Sequence, residues 1–121
     1  MSPQSKPSPE PTARWKTPQQ VINEILKAKL TIDEKVRLTD LMDRHASGRT
    51  LQADHKRLRD GVEELRLRGE RRIFRLYCAR VEGGLVLLAL HFNCKKKNND
   101  KDAIDLAVNR LKQTLGTPAE P

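Results

Sequence analysis

The sequence is poor in cysteine and in aromatic residues, and it contains no long apolar run. Its 121 residues include two cysteines, one tryptophan, one tyrosine and two phenylalanines. No stretch approaches the ~20 consecutive apolar residues of a membrane-spanning helix, and the N-terminal stretch MSPQSKPSPEP lacks the apolar core of a secretory signal. We therefore expect a cytoplasmic protein that is not a membrane component, in which Cys78 and Cys94 are free thiols.

Motifs for common cofactors and nucleophiles are also missing. The sequence has no Cys/His cluster at zinc-ligand spacing, no glycine-rich phosphate loop and no serine in a nucleophile elbow. His45 and His55 are expected to be surface residues, on the second helix and on the connection that follows it. We therefore expect no metal and no small-molecule cofactor.

Positive charge is what the sequence has in excess, and it is unevenly placed. The chain has 24 Lys+Arg against 16 Asp+Glu, a formal net charge of +8. Residues 55–97 hold 12 of these basic residues and 5 of the acidic ones, so nearly all of the excess lies in one segment. A basic surface attracts polyanions, of which nucleic acid is the usual partner. The alternative is that the net positive charge only keeps the protein soluble.

The same segment predicts a small antiparallel sheet. It contains three apolar runs, Val62–Arg68, Arg71–Arg80 and Leu85–Phe92, with glycine between them. Short runs rich in β-branched and aromatic residues and bounded by glycine are typical of strands joined by hairpins, and glycine supplies the positive φ that tight turns require. The third run begins with six apolar residues in succession, which indicates a strand covered on both faces.

Alternation along these strands predicts one apolar face and one face that carries arginines. In the second run Phe74 lies on the apolar face, whereas Arg75 and Tyr77 lie on the other. In the first run the same alternation places Arg66 and Arg68 on a polar face. The arginines of neighbouring strands are therefore expected to share one side of the sheet.

Helical patterns flank the predicted sheet. Thr17 is followed by Pro18 at the first helical position, and Thr31 is followed three residues later by Glu34, so each threonine is predicted to cap a helix. An apolar stripe between residues 104 and 115 predicts a last helix. We therefore predict an α+β fold with two N-terminal helices, an antiparallel sheet of three or four strands and a C-terminal helix, the helices covering one face of the sheet.

The boundaries of the domain follow from the proline-rich start and the short polar end. Residues 1–16 are predicted to be a disordered tail, residues 17–116 a single domain, and residues 117–121 a C-terminal tail. Residues 14–16 are too few to predict a strand. Residues 49–61 are expected to form a connection that ends in an Asp-Gly turn.

Four pieces of the sequence follow one another in a recognisable order. Arg57–Arg66 is similar to an LRDG-x-xELR segment, Phe74-Arg75 to a YR pair, Leu87–Lys95 to an LLH-x-F-x-KK strand, and Ile104–Leu111 to an EIELA…RL helix. Together they resemble the RelE/ParE toxin superfamily, and in particular its HigB-like, phage-derived branch. The resemblance covers about residues 20–115.

The resemblance implies the toxin of a type II toxin–antitoxin system, which a small cognate antitoxin protein neutralises. Many RelE-type toxins cut mRNA in the ribosomal A site, without a metal, by means of basic side chains. The implied activity is therefore that of an mRNA interferase, a metal-independent endoribonuclease whose partners are the ribosome and its mRNA. The alternatives are a non-enzymatic toxin that acts on a protein such as DNA gyrase, as ParE-type members do, and an RNA-binding module without chemistry.

Candidate site residues follow from the chemistry of RNA cleavage through a 2′-oxygen, which needs a proton acceptor, a proton donor and cations near the phosphorane. Arg75 is the leading candidate for a phosphate clamp, because a guanidinium binds two phosphate oxygens at once. Tyr77 is the candidate donor to the leaving oxygen, or else an ordinary half-buried strand residue. The full predicted catalytic set is Arg66, Arg75, Tyr77, His91 and Lys95, and the predicted RNA-binding set is Arg57, Arg68, Arg71, Arg72, Lys96 and Lys97.

His91 is the histidine of the predicted sheet, and its ordinary pKa suits acid–base work. Alternation places it with Leu87 and Ala89. In the family pattern the histidine stands one position earlier, where this chain has Leu90, and the first lysine of the KK pair is replaced by Cys94.

Overall fold

A computed structural model of the chain describes residues 14–93 and 101–115, with the backbone alone at residues 92 and 93. Within these residues the chain forms three helices, five strands and a 3₁₀ turn at Gln52–Asp54. The strands are β1 (Arg14–Lys16), β2 (His55–Arg57), β3 (Val62–Arg68), β4 (Ile73–Val81) and β5 (Gly84–Asn93), and the helices are α1 (Gln19–Ala28), α2 (Ile32–Ala46) and α3 (Lys101–Thr114).

The strands form one sheet in the order β1-β5-β4-β3-β2, which confirms the predicted α+β fold. All neighbours are antiparallel except β1, which runs parallel to β5. None of the described helices has the length and apolar character needed to cross a bilayer.

The two short edge strands were not expected. β1 lies inside the segment predicted to be a tail, and it is held by pairing with β5 and by Trp15, whose Nε1–H donates to the carbonyl of Met42 at 2.9 Å. β2 lies inside the predicted connection and pairs with β3. The rest of both predicted tails, residues 1–13 and 116–121, lies outside the described residues.

α1 and α2 cover one face of the sheet, which we call the α1–α2 face. Its core joins helix residues such as Val21 and Leu41 to strand residues such as Leu65, Phe74 and Leu76. All five are nearly or wholly removed from solvent. Burial of this apolar surface is the main force that holds the helices on the sheet.

α3 packs on the opposite face, which we call the α3 face, so the expectation that all helices share one face is wrong. Ala107 and Leu111 of α3 pack against Val62, Tyr77 and Leu88. This end of the α3 face, next to the β4–β5 turn, is apolar and therefore matches the apolar stripe of α3. The other end of the face is left to polar side chains.

A bulge in β5 determines which of its side chains meet which face. The β4–β5 ladder shifts register after Tyr77, which pairs with Ala89, so that Leu88 is an extra residue. Leu87 therefore packs on the α1–α2 face and Leu88 on the α3 face, which explains the unbroken apolar run. His91, expected on the side of Leu87, instead lies on the α3 face with Ala89.

β1 pairs only with the first three residues of β5, and side chains cover the rest of that edge. Leu90 N–H donates to Glu24 Oε1 at 3.0 Å, and Arg110 donates to the carbonyl of Leu88 at 2.8 Å. Glu24 and Arg110 also form an ion pair at 2.8 Å, which links α1 to α3. An edge whose polar groups are occupied in this way is protected from pairing with other strands.

The predicted start of α2 is confirmed, whereas that of α1 is shifted. Thr31 Oγ1 accepts a hydrogen bond from Glu34 N–H, and Glu34 Oε1 accepts one from Thr31 N–H, both at 3.0 Å, which is a capping box. At α1 the N-cap is Pro18 instead of Thr17, and among the described residues no side chain caps it.

Glu34 also joins α2 to the β3–β4 hairpin. It is 1% exposed, and its second oxygen accepts a hydrogen bond from Glu70 N–H at 3.0 Å. Hydrogen bonds from the backbone, that of Thr31 foremost, lower the pKa of this carboxyl, against the opposing effect of burial. Gly69 must be glycine because a Cβ there would collide with Glu34.

We expect Glu34→Gln to destabilise the fold by about 1–3 kcal/mol at neutral pH, because charge-assisted hydrogen bonds become neutral ones. The folded-state pKa is lowered, so the ionised form stabilises the fold above its usual pKa of about 4.5, and this contribution is lost as the pH falls further. Urea unfolding at a series of pH values measures the difference. Asp33→Asn, at an exposed neighbour paired with Arg37, is the matched control. A difference that does not shrink in acid would contradict this role.

Candidate nucleic-acid interface

Three side chains form a row across the end of the α3 face that is farther from the β4–β5 turn. Arg75 pairs with Arg66 on one side and with His91 on the other. Residues directly opposite one another in antiparallel strands point to the same face, and the row lies beyond the part of the sheet that α3 covers. We call Arg66, Arg75 and His91 the basic row.

Arg75 is buried in the middle of the row, at 6% exposure. Its Nε lies 2.8 Å from Glu64 Oε2, and both side chains are almost inaccessible to solvent. The Nε–H is not aligned for a hydrogen bond, so the contact is an ion pair. Arg75 is therefore not free to act as the predicted phosphate clamp in this structure, because its charge is paired with Glu64 and releasing it would leave a buried charge unpaired.

Arg66 is the more accessible guanidinium of the row. It is half-buried and lines a groove of about 150 Å³ with Lys56 and Glu64. It also lines a second groove, of about 210 Å³, with the exposed Arg68 and with Arg44 of α2. Arg66 therefore lies where two grooves of mixed charge meet, since Asp54 lines both of them and Asp40 lines the larger, and Arg66 is partly accessible from solvent.

Tyr77 is not available to a substrate. It is 1% exposed and belongs to the core beneath α3 with Val62 and Leu88. The predicted role as proton donor is therefore wrong in this conformation. The cause is α3, which packs on this face and not, as its apolar stripe alone would allow, on the face of α1 and α2.

The predicted RNA-binding residues do not all lie near the basic row. Arg72 is held on the α1–α2 face, where it donates to the carbonyl of Ala28 at 2.8 Å and lies 4.7 Å above the Phe74 ring. Arg57 pairs with Glu63 and so also faces away from the row. Arg68 shares the α3 face, Arg71 is exposed in the β3–β4 turn, and Lys95, Lys96 and Lys97 lie outside the described residues.

Two lysines near the row were missed by sequence reasoning. Lys56 pairs with Glu64 and therefore shares the α3 face. It lines a groove of about 450 Å³ with Arg59, Lys101 and Ile104. Alternation along residues 55–57 would have indicated Lys56, had they been recognised as a strand.

A second polar cluster lies on the α1–α2 face, and it too was missed. His45 is 2% exposed, and both it and His55 contact the carboxylate of Glu63. The expectation of a surface residue is wrong for His45, because α2 packs over β3, whereas His55 in the edge strand β2 is partly exposed. Burial lowers the pKa of His45, and the charge of Glu63 opposes that effect.

Cys78 does not contribute a nucleophile. It is buried and free, and burial raises the pKa of its thiol to about 12, with the nearby Glu63 carboxylate adding to the effect. The thiol is therefore protonated at neutral pH. Cys94 lies outside the described residues.

The model of a family described as phage-derived protein Gp49-like matches residues 24–112, which is most of the chain. The chain belongs to the Gp49-like family. This family is part of the RelE/ParE-like toxin superfamily, so a Gp49-like protein is in general a toxin with an antitoxin partner. A search of curated proteins finds no match to the chain.

Proposed function

We propose that this Gp49-like protein is a HigB-like toxin that inhibits translation by cutting mRNA on the ribosome. The observation that carries the proposal is the basic row, because it brings the partly exposed guanidinium of Arg66, the buried guanidinium of Arg75 and the imidazole of His91 together on one face of the sheet. RNA cleavage without a metal needs these types of side chain.

In the proposed reaction the 2′-oxygen attacks the adjacent phosphorus, and the bond from phosphorus to the 5′-oxygen breaks. The proton of the 2′-hydroxyl leaves to a base, and the 5′-oxygen receives a proton. His91 is the member of the row whose side chain can both accept and donate a proton. Arg66 contacts the phosphate, whose negative charge grows in the transition state. Arg75 is a positioning residue between Arg66 and His91, because its own charge is paired with Glu64.

Basic residues around the row would bind the remainder of the RNA. Lys56, Arg68 and Lys101 lie on grooves that adjoin it. Contacts between such side chains and phosphates carry no sequence information and weaken as salt rises. Codon preference would therefore be set by the ribosome and by the shape of the site. An antitoxin that presents acidic side chains to the row would block it.

Expression from a tightly controlled promoter in a bacterial host tests the proposal. We expect growth arrest together with codon-phased cuts in cellular mRNA, detected by primer extension. Arg66→Ala should abolish the cuts while the protein still folds, and Arg49→Ala, which removes an equal charge from the turn after α2, should not. Arrest without cuts would contradict mRNA cleavage and favour a protein target such as gyrase. Folded protein without arrest would contradict the toxin itself.

A further inference from the structure

Three side chains of the kind that bind metals meet at the edge of the α1–α2 face. His45 lies near the end of α2, His55 begins β2, and Glu63 is the second residue of β3. The Nε2 atoms of His45 and His55 lie 3.0 and 2.7 Å from the same oxygen, Oε1 of Glu63. One ligand atom of each residue lies within 4.8 Å of the others.

The surroundings of His45 suit a metal ligand. The ring is almost fully buried, and its Nδ1 lies 2.8 Å from Thr50 Oγ1. An imidazole that binds a metal through Nε2 carries its proton on Nδ1, and metal-bound histidines nearly always donate that proton to an oxygen. Thr50 provides such an oxygen, and its hydroxyl can rotate to accept.

The three groups approach one another from different directions. The rings of His45 and His55 are 5.1 Å apart between centroids and inclined at 46°, so their nitrogens reach Glu63 from different directions. The nearest cation, Arg80, lies 3.6 Å from the other carboxylate oxygen, Oε2, and its side chain is 53% exposed. It can therefore move toward solvent when an ion binds at Oε1.

We propose that His45, His55 and Glu63 bind a divalent transition-metal ion, zinc being the best match, and that this ion fastens α2 to the edge of the sheet. Two imidazoles and a carboxylate are ligands that zinc accepts at about 2.0–2.2 Å, usually with four ligands in a tetrahedron. The ligand atoms need to separate by only about 0.5 Å to reach that geometry. His55, on the exposed edge, leaves the fourth position to water.

The proposed site is independent of RNA cleavage. Glu63 and His45 lie on the face opposite the basic row, and none of the three ligands belongs to the row, although His55 at the sheet edge also lines the groove of about 150 Å³ that contains Arg66. Its effect would be on stability, because the ion binds ligands that come together only in the folded chain.

A metal titration of the full chain, without an affinity tag and after dialysis against a chelator, tests the site. We expect one equivalent of Zn²⁺ to bind in equilibrium dialysis. At a free concentration about 100 times the Kd, we expect Tm to rise by about 10 °C. Co²⁺ in place of Zn²⁺ should give the intense visible absorption of tetrahedral coordination.

Two variants show whether the ion is bound by these side chains. His55→Ala lies on the exposed edge and Glu63→Gln keeps the shape of the side chain, so both should fold and both should lose the Zn²⁺-dependent rise in Tm. His91→Gln removes an imidazole on the opposite face and should retain that rise. A wild-type chain that binds no equivalent of Zn²⁺ would overturn the proposal. Zn²⁺ binding of unchanged affinity in both His55→Ala and Glu63→Gln would overturn it equally.

Discussion

Replacement of His91 by Gln is expected to lower the rate of mRNA cleavage by about 10²–10⁴-fold, the range typical of lost acid–base catalysis. His91 is the member of the basic row whose side chain can both accept and donate a proton, whereas guanidinium groups only donate hydrogen bonds. Glutamine keeps a polar side chain of similar reach but cannot exchange a proton. The rate is measured with a defined mRNA in a reconstituted translation reaction.

Two controls separate catalysis from folding. His91→Gln should unfold at nearly the wild-type temperature, because the residue is half-buried and glutamine keeps a polar side chain of similar reach. Lys35→Gln, an amide substitution at an exposed position of α2, should cleave like wild type. Cleavage by His91→Gln within about 3-fold of wild type would exclude the imidazole from proton transfer.

Phe74→Ala is expected to lower the free energy of unfolding by about 3–5 kcal/mol, the range for removal of a buried aromatic ring. Phe74 is 0% exposed and packs between the strands and α1–α2. Its ring also supports the guanidinium of Arg72, which holds the last turn of α1 through the carbonyl of Ala28. Loss of the ring therefore creates a cavity and loosens the contact between α1 and the β3–β4 hairpin.

Urea unfolding measures this free energy, and a second Ala variant calibrates it. Leu26→Ala removes a large apolar side chain that is 68% exposed, so its effect should stay within about 0.5 kcal/mol. If Phe74→Ala cost less than about 1 kcal/mol, the ring would not be part of a close-packed core.

The central strands and α2 could be predicted from sequence because their signals are local. Alternation placed Phe74 and Arg75 on opposite faces, and the Thr31–Glu34 spacing identified the start of α2. β1 and β2 have three residues each, which is too few to show an alternating pattern. They are strands because they pair with β5 and β3, respectively. Such strands form because of tertiary contacts, and these contacts cannot be recognised from the residues of the strand itself.

Only those features of the site that follow from the alternation of side chains along a strand could be predicted from the sequence. Arg66 and Arg75 were expected to share a face, and they do. The burial of Tyr77 depends on where α3 packs, and the ion pair of Arg75 depends on a cross-strand neighbour, Glu64. Neither can be derived from the order of residues along one strand.

The cluster on the α1–α2 face was missed for a different reason. Its three members are separated along the chain and come from a helix and two strands. Their spacing matches no metal motif, and only the packing of α2 on β3 and the pairing of β2 with β3 bring them together.

Incubation of the purified chain with one defined mRNA, in the presence and in the absence of translating ribosomes, tests ribosome-dependent cleavage most directly. We predict cuts at a fixed position within codons when ribosomes translate the message, and an intact message when they are omitted. Intact mRNA in both reactions, with folded protein present, would contradict the proposed activity. Equal cutting in both reactions would contradict its dependence on the ribosome.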